Sequence, residues 1–413
     1  MLIGAARWQR SVRLIRHRNQ HSANRSACCL IAAVLAFSPA SVLAQSDFYF
    51  VPWLTVEEVY DDNIFFDTED EVSDFITRVS PRLDVGYDSE TLDWLLSYRN
   101  DAEWYNDFSE LDSTKARRFA EGEIEVRPSR RWTWSGQARF TNTNTAEDLS
   151  LTPGGVIPGQ VGRVEAERLL IGAGAEHRIS QRFTGSLDVT WINDELVDFS
   201  ENETFIADAQ VEQVLNSTRS LLYGYLYRDY DFSVDPDSDP GVPLGSPADS
   251  NTAYVGLVQA LSETSDLELR VGPRVSEGDV EPYLVFRWER EYDRGTTVIE
   301  ALWDETTLLG EFERLDSQTI SASWSHTFSA NFDVRGSAGY AYLSGPDYTT
   351  DIASFEIAGD YRFSEFILLT AWYSVNAQQE NAEGFPSGGI THNVVSLSLT
   401  FTRPRGVTDR SSS

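Results

Sequence analysis

Beyond Gln45 the chain alternates apolar and polar side chains in segments of roughly ten residues, joined by links that are alternately short and long. The short links resemble one another: Pro128-Ser129-Arg130-Arg131, Ile179-Ser180-Gln181-Arg182, Leu261-Ser262-Glu263-Thr264, Phe328-Ser329-Ala330-Asn331 and Phe363-Ser364-Glu365-Phe366. The long links are acidic or rich in Gly and Pro, as from Asp235 to Ser250. A period of two marks strands with one apolar face. Tight turns at one end and long loops at the other point to an all-β fold, a single transmembrane antiparallel up-and-down β-barrel. A soluble sandwich would also alternate, but the aromatic content of 12% and the loop asymmetry favour the membrane barrel.

The start of the chain reads as an export signal over residues 1–44. Arg7, Arg10, Arg13, Arg16, Arg18 and Arg25 form a basic region without acids, an apolar stretch runs from Cys28 to Leu43, and Val42-Leu43-Ala44 offers small residues for cleavage. That stretch is short for a span of about 20 residues and contains Pro39, which argues against a membrane helix. Cleavage would remove both cysteines, excluding disulfides and thiolate chemistry. Removing the six arginines takes the formal charge from −32 to −38, and nucleic acid is not an expected partner of so acidic a chain. The barrel is expected over 45–404, followed by a short polar tail, 405–413.

Eighteen strands are expected, near 50–60, 75–87, 92–105, 116–128, 132–144, 164–179, 183–198, 206–215, 221–234, 251–261, 266–274, 280–291, 296–306, 315–328, 332–344, 352–363, 367–379 and 392–404. Sixteen is the alternative count. An even number puts both termini on the periplasmic side and the long links outside. The segments 206–215, 221–234 and 251–261 alternate poorly. Trp53, Trp94, Trp132, Trp134, Tyr340 and Tyr373 lie near strand ends and suit aromatic girdles at the headgroup level.

Lysine or arginine facing lipid at midplane costs about 2–4 kcal/mol, so the ionisable residues should be the inward set. The lumen candidates are Arg78, Arg82, Asp84, Arg99, Glu121, Glu123, Glu125, Arg139, Arg270, Arg274, Arg287 and Arg335. They can form a polar translocation path or simply brace the wall as ion pairs. Glu121, Glu123 and Glu125 repel one another on one face unless arginine intervenes from a neighbouring strand, with Arg78, Arg99 and Arg139 as candidates. The mixed signs leave ion selectivity open.

No enzyme is expected. Ser325 and His326 are adjacent on a strand and point to opposite faces. His177 and His326 are placed facing lipid near turns, and His392 at a loop end. No metal-ligand spacing or phosphate loop occurs, so no cofactor and no metal is expected. The acidic run from Asp67 to Glu71 lacks the spacing of a calcium loop and reads as a solvated surface.

At the far end Val395, Leu397, Leu399 and Phe401 alternate with Ser396, Ser398 and Thr400. The pattern Leu397, Leu399, Phe401 resembles the insertion signal that barrel assembly machinery reads, although Thr402 to Ser413 extend past it. Near the start, Tyr60-Asp61-Asp62-Asn63-Ile64-Phe65 followed by Phe75-Ile76-Thr77-Arg78-Val79-Ser80-Pro81-Arg82-Leu83 resembles the beta-barrel porin 2 family of bacterial outer-membrane proteins, most strongly over residues 50–100. The resemblance implies a passive conduit for extracellular or capsular polysaccharide, with outer-membrane lipid, lipopolysaccharide and a periplasmic polysaccharide-export component as partners. It transfers no binding residue. Asp62 and Asn63 equally suit a turn that bonds its own backbone. A small-solute diffusion porin, narrowed by the link from Thr145 to Gly162, and a structural barrel with acidic loops are the alternatives.

Overall fold

A computed structural model describes residues 47–68, 71–145, 164–197, 200–234, 248–276, 278–307, 313–346, 348–382 and 388–402. The expected signal and the polar tail lie outside the described residues, as does most of the Thr145 to Gly162 link. The first six strands are β1 (Asp47–Asp61), β2 (Asp74–Asp88), β3 (Leu92–Tyr105), β4 (Ser113–Ser129), β5 (Trp132–Thr143) and β6 (Ala166–Arg178). Then come β7 (Phe183–Leu196), β8 (Ser200–Asn216), β9 (Arg219–Val234), β10 (Ala248–Ser262), β11 (Ser265–Ser276) and β12 (Asp279–Tyr292). The last are β13 (Gly295–Thr307), β14 (Arg314–Ser329), β15 (Phe332–Ser344), β16 (Tyr348–Ser364), β17 (Ile367–Ala382) and β18 (Gly388–Thr402). One 3-10 turn, Ser109–Leu111, interrupts the β3–β4 link.

Each strand pairs antiparallel with the next, and β18 returns to β1, so the 18-stranded sheet is closed. Closure removes every edge that would leave backbone groups unpaired in lipid. The β1–β18 seam is short: it runs from Trp53↔Thr402 to Asp61↔Val394, whereas β1 pairs with β2 along its whole length.

Two ends follow from the connectivity. In five turn-end links a serine hydroxyl accepts a hydrogen bond from the backbone N–H two residues on: Ser129 from Arg131, Ser180 from Arg182, Ser262 from Thr264, Ser329 from Asn331 and Ser364 from Phe366, at 3.2–3.3 Å. These local hydroxyl bonds hold the reversal without glycine. The loop end carries the longer links. Three links there are short all the same, at 197–199, 277–278 and 345–347.

Register and exposure separate the two faces. Phe50, Leu54, Val56, Leu187, Val255, Ile320, Phe355 and Leu397 are large, apolar and exposed on the outer face. A continuous apolar belt around a closed wall is a lipid-facing surface. Trp94, Trp132, Trp134, Tyr340 and Tyr373 also face outward. Trp53 does not: it points into the lumen and donates its indole N–H to Asp84 at 2.9 Å. An indole that finds a carboxylate is better placed on the polar side than at the headgroups.

The poorly alternating segments are strands, longer than expected. Their inner face is itself apolar: Leu222, Leu226, Tyr230, Phe232 and Tyr254 are buried there, while Tyr223 and Tyr225 are exposed outside. With apolar side chains on both faces, the period of two is muted. Some ionisable residues do face outward, contrary to expectation. Glu58, Arg118, Glu167, Glu195, Glu201, Glu203, Asp229 and Asp231 all stand in the loop-end third of their strands. There the wall has left the hydrocarbon layer, where such charges cost little.

Candidate functional site: the lumen and its loop-end mouth

All twelve lumen candidates occupy inward register positions, and most of the arginines are engaged. Arg78 on β2 bridges Glu57 of β1 and Glu103 of β3, both at 2.9 Å. Arg82 bonds Asp84 at 2.8 Å, and Asp84 also accepts from Ser97 at 2.5 Å. Arg99 sits 3.2 Å from Asp101 and stacks 3.9 Å above Phe119. Arg139 bonds Glu121, Arg335 bonds Asp360, and Arg287 lies between Glu289 and Glu300 at 2.9 and 2.5 Å. Arg270 bonds Glu268 at 2.5 Å and approaches Asp208 at 4.0 Å.

The carboxylate row on β4 is relieved differently from the expectation. Arg139 does reach Glu121, but Arg78 and Arg99 are taken by other acids. Glu125 is paired by Arg127 of its own strand at 2.5 Å, with Asp93 on the same guanidinium at 2.6 Å. Glu123 lies between them, opposite Leu95 and Gln137, and no arginine among the described residues bonds it.

At the mouth, the first long link folds inward. Ile64 and Asn63 are fully buried, and Ile64 packs with Val59, Ile76, Tyr105 and Val394 on the inner wall. Phe65 meets Phe108 of the second link edge-on at 5.4 Å. Phe66 takes a left-handed backbone (φ 55°) and lies over His392 at 4.6 Å between ring centres. The asparagine amide holds this turn: Asn63 donates to the Asp67 carbonyl at 2.8 Å and accepts from the Asp67 N–H at 2.9 Å. Asp62 does something else. Its carboxylate accepts from both the backbone and the side-chain N–H of Asn393 on β18, at 2.7 Å each. Beside it Asp61 is 2.8 Å from Nε2 of His392. The Tyr60–Phe65 motif therefore clasps the short seam and turns a loop into the lumen. His392 is buried on the inner face of β18, where the sequence reading placed it at a loop end.

Opposite this loop in the strand order, an ionic cluster narrows the mouth from the other wall. The β11–β12 link is short, and the longer β13–β14 hairpin reaches past it to β9. Arg228 of β9 holds Asp304 of β13 through two hydrogen bonds, at 2.7 and 2.5 Å. Arg274, fully buried, touches Glu281, Asp304, Glu305 and Asp316. Arg314 adds bonds to Glu305 at 2.9 Å and Glu281 at 3.3 Å. Among these residues the sequence reading singled out only Arg274. Bonds between strands four apart leave no trace in the pattern of either strand. His177 and His326 do face outward, against Trp132 and Phe328.

No family model matches the chain, and no curated protein matches it. Solved structures that overlay it include OpdQ of Pseudomonas aeruginosa, at 11% identity over 87% of this chain and 97% of that one, with a TM-score of 0.43. OccK2 (OpdF) of P. aeruginosa gives 9% identity, 86% and 98% coverage and a TM-score of 0.46. The siderophore receptor PirA of P. aeruginosa gives 8%, 86% and 80%, and 0.43. At such values the function of this chain rests on its own residues.

Proposed function

We propose that this barrel is an outer-membrane diffusion pore for small hydrophilic solutes. The observation that carries the reading is the contrast between its faces. The closed wall is apolar outside, while its inner face bears arginines, carboxylates and hydroxyls along its length. Ionised side chains on that scale need water, and an 18-stranded wall has room for an aqueous channel. The inward loop at Asn63–Phe66 and the cluster around Arg274 narrow the loop-end mouth, which suits small solutes better than a polymer.

The polysaccharide reading rests on the resemblance carried by the Tyr60–Phe65 motif and the Phe75–Leu83 segment that follows it, and the first of these is the sharper. The residues of that motif clasp the seam and pack the mouth, so the motif has a structural reason of its own. Purified protein inserted into a planar lipid bilayer should give stepwise, voltage-independent ion conductance at moderate potentials. Folded protein that inserts and stays silent would refute the pore.

A further inference from the structure

We infer that the pore prefers cations, and that Glu123 and Asp188 set the preference; this rests on the diffusion-pore reading. The first observation is how the inward charges are spent. Along the body of the wall the guanidiniums are already neutralised, as at Arg78, Arg139 and Arg287. Glu123, Asp188 and Glu356, by contrast, sit on inward positions without a bonded arginine among the described residues. Among the described residues, the inward arginines without a bonded carboxylate, Arg178 and Arg362, lie at the turn-end rim and not along the passage.

The second observation is a recess of about 600 Å³ in the wall formed by β1–β7. Its lining includes Asp93, Glu123, Glu125 and Asp188; Arg127, outside the lining, neutralises Asp93 and Glu125, which leaves Glu123 and Asp188 as its unpaired carboxylates among the described residues. Glycines make room for its polar side chains. A side-chain carbon at Gly174 would lie 2.4 Å from both Asp188 Oδ1 and Ser135 Oγ, and one at Gly172 would strike Gln137 at 2.8 Å. Asp188 also stands directly opposite Asp208 across the β7–β8 register. Adjacent like charges are unfavourable for the fold alone. They create a negative potential that low-dielectric walls focus into the water, raising the local concentration of cations. Since the described residues form no cluster that could chelate a cation, one can enter and leave.

The test is the reversal potential of single channels in a KCl gradient, with wild type, E123Q/D188N and D188N alone. Wild type should reverse toward the potassium equilibrium potential, and the double variant should lower the potassium-to-chloride permeability ratio by at least about twofold. D188N should fall between them. Recording only from channels that conduct keeps folding defects out of the comparison. Reversal near zero or toward chloride in wild type would overturn cation preference while leaving a pore. An unchanged ratio in the double variant would overturn the role given to Glu123 and Asp188. Absence of any conductance would instead overturn the diffusion-pore reading itself.

Discussion

Asp62 and Asn393 are 331 residues apart in sequence and joined by two hydrogen bonds of 2.7 Å, both accepted by the one carboxylate. They stand where the β1–β18 pairing ends, so the clasp lengthens a seam that is short at the turn end. Charged hydrogen bonds of this kind are each worth about 1.5–3 kcal/mol. Asp62→Ala should therefore destabilise the folded barrel by about 2 kcal/mol, read as a lower urea midpoint in vesicles. Asn393→Ala should behave alike, and the double variant should cost less than the two single costs together.

The buried cluster predicts a sharp difference between two arginines. Arg274 is fully buried among Glu281, Asp304, Glu305 and Asp316, so Arg274→Met leaves four acids to the two remaining guanidiniums of Arg228 and Arg314 and takes from Asp316 its bonded arginine. The expected cost is about 3–5 kcal/mol. Arg139→Gln removes a guanidinium that is 54% exposed and should cost about 0–1 kcal/mol. Equilibrium unfolding of the two variants side by side checks the contrast.

Glycine on β9 makes room for an aromatic ring. Tyr254 of β10 crosses Gly224 to donate to Asp208 of β8 at 3.0 Å, and a side-chain carbon at Gly224 would lie 2.0 Å from that ring. Gly224→Ala should expel Tyr254 from this position, costing about 1–3 kcal/mol. Gly359→Ala, where the nearest ring atom would be 3.6 Å away, should be tolerated. Thermal unfolding of both variants measures this.

Acid should reverse the charge of the passage. At about pH 3, below the ordinary carboxylate range, protonation removes negative charge while guanidiniums keep theirs. The reversal potential should then move from the potassium side toward the chloride side. A reversal potential that stays fixed between neutral and acid pH would count against carboxylates as its origin.

The wall was largely legible in the sequence because its physics is local. Each strand meets lipid on one side and water on the other, so the alternation of Trp134, Ala138 and Phe140 with Ser135, Gln137 and Arg139 declares both faces. The same logic placed Arg78, Glu123 and Arg335 on the inner face. It failed where the inner face is itself apolar, at Leu222 to Phe232, and where an inward Trp53 answers a carboxylate. The mouth was illegible for another reason. The pairs Arg228–Asp304, Asp61–His392 and Asp62–Asn393 join residues far apart in the chain, and only the closed geometry brings them together.

The central claim is passage of small hydrophilic solutes through a narrowed, charged lumen. Liposome swelling with sugars of increasing size tests it most directly. Proteoliposomes should swell fast in a monosaccharide, more slowly in a trisaccharide and not at all in a long dextran. Vesicles that hold folded protein yet stay unswollen in the monosaccharide would contradict the claim, and so would equal passage of the dextran.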